Sequence, residues 1–429
     1  MREYEILDVH AVEILDAGAI PTLDVTITLK DGITGNATVA SSMNRGGYGA
    51  CELRDGDKRH LGKGVEQAVT NVNTRIADKI IGMNVFEQVR IDQLLIEADG
   101  TENKRKYGAN AILGVSVACA RAAANALGLP LYQYLGGIYT KKMPVPMISL
   151  IDGGDYADNT LDIQELMIAP VGAYNFSHGM EMSCEVYQYL KQILKEKELM
   201  TCIGDEGGFA PCCGTMNDAL NLIVEAVERA GYRLEHDIQI AVNVAASKLY
   251  DENSELYYFE RESQTVGKEI YRNAEEMVQF YEDIVDRFPI CSIEDGLAAD
   301  DTKGWKLLTY RLGEQTQLVG GDVFGSNVLR LQEGVKESIA NAISVKLCQI
   351  GTLTETMELV ETAKKSGYHI MISHGIGDTE DSVIADLSIA VNAGQIKAGA
   401  PCRGECTAKY NRLLKIEEML GKNAAYHPK

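Results

Sequence analysis

Ile343-Ser344-Val345-Lys346-Leu347-Cys348-Gln349-Ile350-Gly351 is an apolar, β-branched run with one lysine near its middle. Such a run, bounded by polar and glycine residues, reads as a buried strand, and a buried lysine is costly unless it is paired or used. Lys346 is therefore either neutralised by carboxylates or a working base. Acidic and basic residues stand at comparable places on both sides: Glu294 in "SIED", Asp322 in "GGDV", His374 in "ISHG" and Lys397 in "GQIK". Glu294, Asp322, Lys346, His374 and Lys397 are separated, by subtraction, by 28, 24, 28 and 23 positions. That interval suits one strand, one helix and two loops, so a barrel of repeated strand–helix units is the expected architecture, with these residues gathered on one rim.

Earlier in the chain the same pattern supplies Glu165 in "IQELMI", Glu206 in "IGDEGGFAP" and Asn243 in "IAVNVAAS". From Met143 onward short apolar runs alternate with amphipathic helical stretches, the signature of a parallel sheet. Before it the patterning differs. Leu23, Val25, Ile27 and Leu29 alternate with polar residues, Asp31-Gly32 marks a tight turn, and Ile33, Ala37 and Val39 resume the alternation, which predicts an antiparallel hairpin. Residues 40–47 carry no periodicity and end in two glycines, a mobile loop. Helical periodicity runs from about Val65 to Leu127 and is closed by Gly128 and Pro130. The expected division is an α+β domain over 1–137 and a barrel domain over 138–429, packed together without a Ser- or Gly-rich linker.

Composition narrows the function class. The 429 residues are 45% hydrophobic and 24% charged, as in ordinary globular proteins. A formal net charge of -21 argues against nucleic acid or an anionic membrane as partner. Ten irregularly spaced cysteines without a CxxC pair read as free, mostly buried thiols in a reducing compartment. With no signal peptide and no long apolar span, the cytoplasm is the expected location.

Glu294 and Asp322 are oxygen ligands suited to a hard divalent cation, most plausibly Mg²⁺, and Asn243 could supply a third, neutral oxygen. Taken singly, an acidic residue at a strand end is more often a helix cap or an ion-pair partner; several beside two lysines shift the balance. A lysine near a bound cation can have its pKa lowered into the range of a base, and Glu165 and Glu206 face it as acids. Base, acid and metal together suit removal of an α-proton and expulsion of a β-hydroxyl. His374 alone is equally a satisfied core histidine or a catalytic one.

Eleven stretches in order, among them "GKGVEQAVTNVN", "GANAILGVSVA", "GDEGGFAP", "SIED", "QIGTLTET", "SHGIGDTED", "GQIKAGAP" and "AKYNRLLKIEE", make the sequence resemble enolase (phosphopyruvate hydratase) from end to end. The resemblance implies an enolase-type (β/α)8 barrel with an N-terminal α+β capping domain. It implies Lys346 as the base, Glu206 as the acid assisted by Glu165, and Glu294 and Asp322 as Mg²⁺ ligands with Asn243 in the third ligand position. A lysine or histidine base beside one or two Mg²⁺ ions is the known pattern of that superfamily, and no inference from this sequence. Lys397, His374, Gln164 and Tyr156 fall at substrate-contacting positions. The resemblance also suggests a homodimer or a ring of dimers.

Several positions depart from the family. Asn243 replaces aspartate; Gly375 and Ile376 replace the arginine and serine that grip the substrate phosphate; Tyr156 replaces a histidine; Asn44 replaces the loop's metal-binding serine; and Ala17-Gly18-Ala19-Ile20-Pro21-Thr22 replaces Ser-Arg-Gly-Asn-Pro-Thr. Arg45, in place of threonine, could deliver a substitute cation to the substrate. Three functions are therefore open: a lyase acting on 2-phosphoglycerate, a relative redirected to another phosphorylated or phosphonate carboxylate, as in carboxyphosphonoenolpyruvate synthases, and a non-catalytic paralogue.

Overall fold

The computed structural model describes residues 4–41 and 48–427. Asn44 and Arg45, and most of the loop expected at 40–47, lie outside the described residues.

The chain opens with an antiparallel sheet of β1 (Ile6–Leu15), β2 (Pro21–Leu29) and β3 (Thr34–Thr38), in that order across the sheet. The predicted hairpin is β2–β3, and its alternation is real: Leu23, Val25, Ile27 and Leu29 are all fully buried. Strand β1, which the alternation of residues 22–39 does not reveal, pairs along the outer side of β2. Helices α1 (Gln88–Asp99) and α2 (Ala109–Ala126) follow. Helix α2 lies so close to the sheet that a Cβ at Gly35 would sit 2.2 Å from Ala118 O and Ala122 N. Only glycine on the strand and small residues on the helix allow that approach.

Eight strands then close a barrel: β4 (Val145–Asp152), β5 (Glu165–Ala169), β6 (Gln239–Asn243), β7 (Ile290–Glu294), β8 (Gln317–Gly320), β9 (Ala342–Val345), β10 (His369–Ser373) and β11 (Gln395–Lys397). The expectation of a wholly parallel sheet is corrected at β5, which runs antiparallel to both β4 and β6. The connection from β4 to β5 holds only a 3₁₀ turn, Gly154–Tyr156, and no crossover helix, so the chain turns back beside β4. Two helices, α3 (Phe176–Glu196) and α4 (Met216–Arg229), then lead to β6. Asn175 caps the start of α3, and Thr215 with Asp218 forms a capping box on α4.

The later units alternate as expected, through α5 (Ala274–Val285), α6 (Thr302–Leu312), α7 (Val328–Lys336), α8 (Leu353–Lys365) and α9 (Val383–Ala390), and α10 (Gly404–Leu420) follows β11. The N-terminal layer is pinned to the barrel by charge. Arg121 on α2 grips Asp381 with both terminal nitrogens, at 2.6 and 2.5 Å. Ser116 Oγ on α2 and Asp92 on α1 accept the first backbone N–H groups of α8, from Leu353 and Thr354. A helix start, with its unpaired N–H groups, is thus satisfied from the other layer.

All ten cysteines are free. They are less buried than expected: only Cys119, Cys348 and Cys406 are fully inside, and Cys184, Cys202 and Cys212 are exposed. Among the described residues no single helix is long and apolar enough to cross a membrane.

Candidate active site

The run that contains Lys346 is shorter as a strand than its apolar pattern implies. Strand β9 stops at Val345, and Lys346 is the half-buried residue just beyond it, its N–H donating to Ser326 Oγ. A 3₁₀ turn over Leu347–Gln349 follows. The lysine is therefore at the mouth of the barrel, where its ammonium need not be desolvated as a mid-strand lysine would be.

The other candidates converge on the same rim by different routes. Asn243, Glu294 and Lys397 are the last residues of β6, β7 and β11, His374 follows β10, and Asp322 lies two residues past β8. Glu165 instead opens β5; because β5 is antiparallel, its first residue pairs with the last of β4 and of β6, Asp152 and Asn243. Glu206 stands on no strand end. It sits in the loop between α3 and α4, and Asp152 Oδ2 accepts the N–H groups of Glu206 and Gly208, both at 3.1 Å. The glycines around Glu206 serve this contact: a Cβ on Gly208 would fall 2.3 Å from Asp152 Oδ1, and one on Gly204 2.6 Å from Asp152 Cβ.

At the centre Lys397 Nζ lies 3.1 Å from Glu165 Oε2 and 2.5 Å from Glu294 Oε2, all three buried. Asn243 Nδ2 donates to Glu165 Oε2 at 2.7 Å and Ser149 Oγ to Glu165 Oε1 at 2.8 Å. Burial alone would raise the Glu165 pKa, but the Lys397 ammonium and these donors hold it down at about 2. Burial likewise opposes charge on Lys397, and the two carboxylates overcome it and keep the ammonium protonated.

Next to this charged trio is a neutral pair. His374 Nε2 is 3.0 Å from Glu206 Oε2. Burial pushes the His374 imidazole down to about 3. Burial first, then Glu165 and Asp152, push the Glu206 carboxyl well above the usual range. The pair thus carries its proton on Glu206, which is the state a general acid needs. Behind His374, Asp378 receives the buried Lys409 ammonium at 2.8 Å and lies 3.9 Å from His374 Nδ1.

One cavity is lined by Lys346, Asn243, Asp322, Gln164, Tyr156, Gly375 and Ile376, and also by Asp295 and Lys248. Asp295, Asp152 and Lys248 are site residues that motif reading passed over. Asp152 ends the run "MISLID" as Glu294 ends "CSIE", which is the signal that could have found it. Asp295 Oδ1 accepts the N–H groups of Gly321 and Asp322, at 2.8 and 2.9 Å, and so sets where the Asp322 carboxylate stands. Its own backbone is left-handed, at φ 48°, a strained position for a non-glycine residue.

Asn243 Oδ1 and Glu294 Oε1 are both buried with no hydrogen-bond partner, on residues paired across adjacent strands. Two orphaned acceptors at one strand boundary, with Asp322 beside them, fit a hard cation. Among the described residues no three His, Cys, Asp or Glu side chains converge to hold a metal by themselves.

Residues 6–135 match the family model described as the N-terminal domain of enolase, and residues 140–429 match the one described as the enolase C-terminal TIM barrel domain. The chain belongs to the enolase family. Membership makes it a carbon–oxygen lyase of the enolase superfamily. The enolase barrel here keeps its acidic and basic rim, while the wall at Gly375 and Ile376 carries no charged side chain. A Cβ on Gly375 would meet Cys348 Sγ at 3.0 Å, Ser41 O at 3.1 Å and Ala40 Cβ at 3.2 Å. Ala40 and Ser41, which follow β3, and Cys348 thus crowd the position from which a side chain at 375 would branch.

Proposed function

We propose that this chain is a hydro-lyase acting on 2-phosphoglycerate or a close analogue, in which Lys346 removes the α-proton and Glu206 protonates the departing β-hydroxyl. The observation that carries the reading is the buried Glu206–His374 pair, 3.0 Å apart beside a charged trio, where burial and neighbouring carboxylates favour the protonated form of Glu206. Glu206 gives up its proton to the leaving oxygen, and the neutral His374 imidazole, 3.0 Å away, can hydrogen-bond the carboxylate that forms. Glu165 stays ionised and pairs with Lys397, so Lys397 remains a fixed cation available to an anionic group of the substrate. Gln164 and Tyr156 line the cavity and orient the substrate; burial, with Glu206 close by, keeps the Tyr156 phenol neutral.

Asn243, Glu294 and Asp322 would hold Mg²⁺. A bound Mg²⁺ supplies positive charge where negative charge accumulates on the substrate carboxylate. Family membership supports a small anionic substrate and a homodimer or ring of dimers. A cytoplasmic setting and a division of the chain at 137/138 belong to the same proposal.

The uncharged wall at Gly375 and Ile376 favours a second reading, in which the same proton transfers serve a different phosphorylated or phosphonate carboxylate. A coupled assay for phosphoenolpyruvate from 2-phosphoglycerate, over a series of Mg²⁺ concentrations and with Lys346→Ala as control, separates the two. Turnover lost in the variant supports the first reading. No turnover at any Mg²⁺ concentration overturns it and leaves the second to be tried with phosphonate analogues.

A further inference from the structure

The cavity above Lys346 has lost any cation at positions 375 and 376, yet it is not without a second positive charge. Among the described residues that line it, two are cationic, Lys346 and Lys248. Lys248 ends a 3₁₀ turn, Ala246–Lys248, that begins three residues past Asn243, the last residue of β6. Ala245, just before the turn, takes a left-handed conformation at φ 52°, which turns the chain sharply at the rim. The Lys248 ammonium stands 3.0 Å from Asp155 Oδ2, one residue from Tyr156, which lines the same cavity.

That ion pair is of a kind that gives way. The two side chains are 38% and 42% exposed, and exposed pairs contribute little net stability because water competes for both partners. A long, flexible lysine there can leave Asp155 for a ligand anion at small cost. The buried Lys397, by contrast, is fixed between two carboxylates and is not among the residues lining this cavity. Among the described lining residues, positions 375 and 376 carry no cation: Gly375 is crowded by Cys348, Ser41 and Ala40, and Ile376 is apolar.

We infer that Lys248 is a specificity-determining residue that receives the second anionic group of the substrate, in place of a cation at position 375. The occupant is then a carboxylate bearing a further phosphoryl or phosphonyl anion, held from the β6 side of the rim. This rests on the lyase reading for the position of the carboxylate, while the contact itself is a matter of binding and can be read without turnover.

The test is isothermal titration calorimetry in saturating Mg²⁺ with three probes, 2-phosphoglycerate, phosphonoacetate and glycerate, on the full chain and on Lys248→Ala and Lys248→Arg. Binding of the two doubly anionic probes weakens by roughly ten- to hundredfold in K248A, the range of one charge-assisted hydrogen bond, and K248R restores most of it. Glycerate, which lacks the second anion, is unaffected. K248A binding 2-phosphoglycerate and phosphonoacetate as the unaltered chain does overturns the inference, and so does failure of both to bind the unaltered chain. Failure of the lyase reading looks different: binding that depends on Lys248 with no phosphoenolpyruvate formed.

Discussion

His374 Nε2 lies 3.0 Å from Glu206 Oε2, with both side chains almost wholly removed from water. In the unfolded chain the imidazole takes up a proton below about pH 6.5, whereas in the folded chain it stays neutral until about 3. The unfolded state therefore binds the extra proton between those values, and stability falls as pH drops through that window. His374→Gln removes the titrating group. The stability lost between pH 7 and pH 4.5, measured by urea denaturation, should shrink by about 2 kcal/mol in the variant; an unchanged pH dependence would show that His374 is not held neutral.

Lys397 is the only partner placed against both Glu165 and Glu294 among the described hydrogen bonds to an ammonium. Lys397→Met leaves two buried carboxylates facing each other without a cation. Breaking a buried pair in this way costs about 3–5 kcal/mol. Adding Glu165→Gln should recover a measurable part of that loss, and two additive losses in a double-mutant cycle would contradict the pairing.

Asn243→Asp changes the cation site in two opposite directions. It adds a negative charge beside Glu294 and Asp322, and it replaces the amide that now donates to Glu165 Oε2 at 2.7 Å with a repelling carboxylate. Without Mg²⁺ the variant should melt below the unaltered chain; with Mg²⁺ it should gain more, because added charge tightens binding to a hard cation. Thermal melts across a Mg²⁺ titration check this, and equal Mg²⁺ shifts in both proteins would remove Asn243 from the ligand set.

Gly375→Arg should not restore an arginine grip. Its Cβ would meet Ser41 O at 3.1 Å and Cys348 Sγ at 3.0 Å, so the segment after β3 or Cys348 must give way. Overpacking of this kind costs about 1–3 kcal/mol. A loss of stability with no tightening of 2-phosphoglycerate in calorimetry is the expected outcome; a stable variant that binds more tightly would show that the space opens freely.

Much of the barrel was legible because burial leaves a direct trace in sequence. Runs such as 290–294 and 369–373 are apolar because both faces of a barrel strand are covered, and the chemical residues sit where each run ends. Three things left no such trace. The antiparallel course of β5 goes with a connection from Asp152 to Glu165 that lacks a crossover helix, and Glu165 looks alike at either end of an apolar run. Glu206 reaches the site from a helix–helix loop whose position depends on two hydrogen bonds to Asp152, a contact 54 positions apart in sequence. Lys248 reads as a surface lysine, and only the sharp turn at Ala245 places it on the cavity. Lys346 was overread in the other direction, as mid-strand and buried, because the 3₁₀ turn after it is as apolar as the strand.

The crowding of Gly375 by Ala40 and Ser41 couples two layers of the molecule. The two walls of that contact come from different layers of the molecule, and Arg121 with Asp381 locks those layers together. A larger residue at 375 therefore calls for an adjustment near position 40, across that seam. The seam between the layers thus limits which side chains position 375 carries, while on the β6 side of the same cavity a cation already stands, at Lys248.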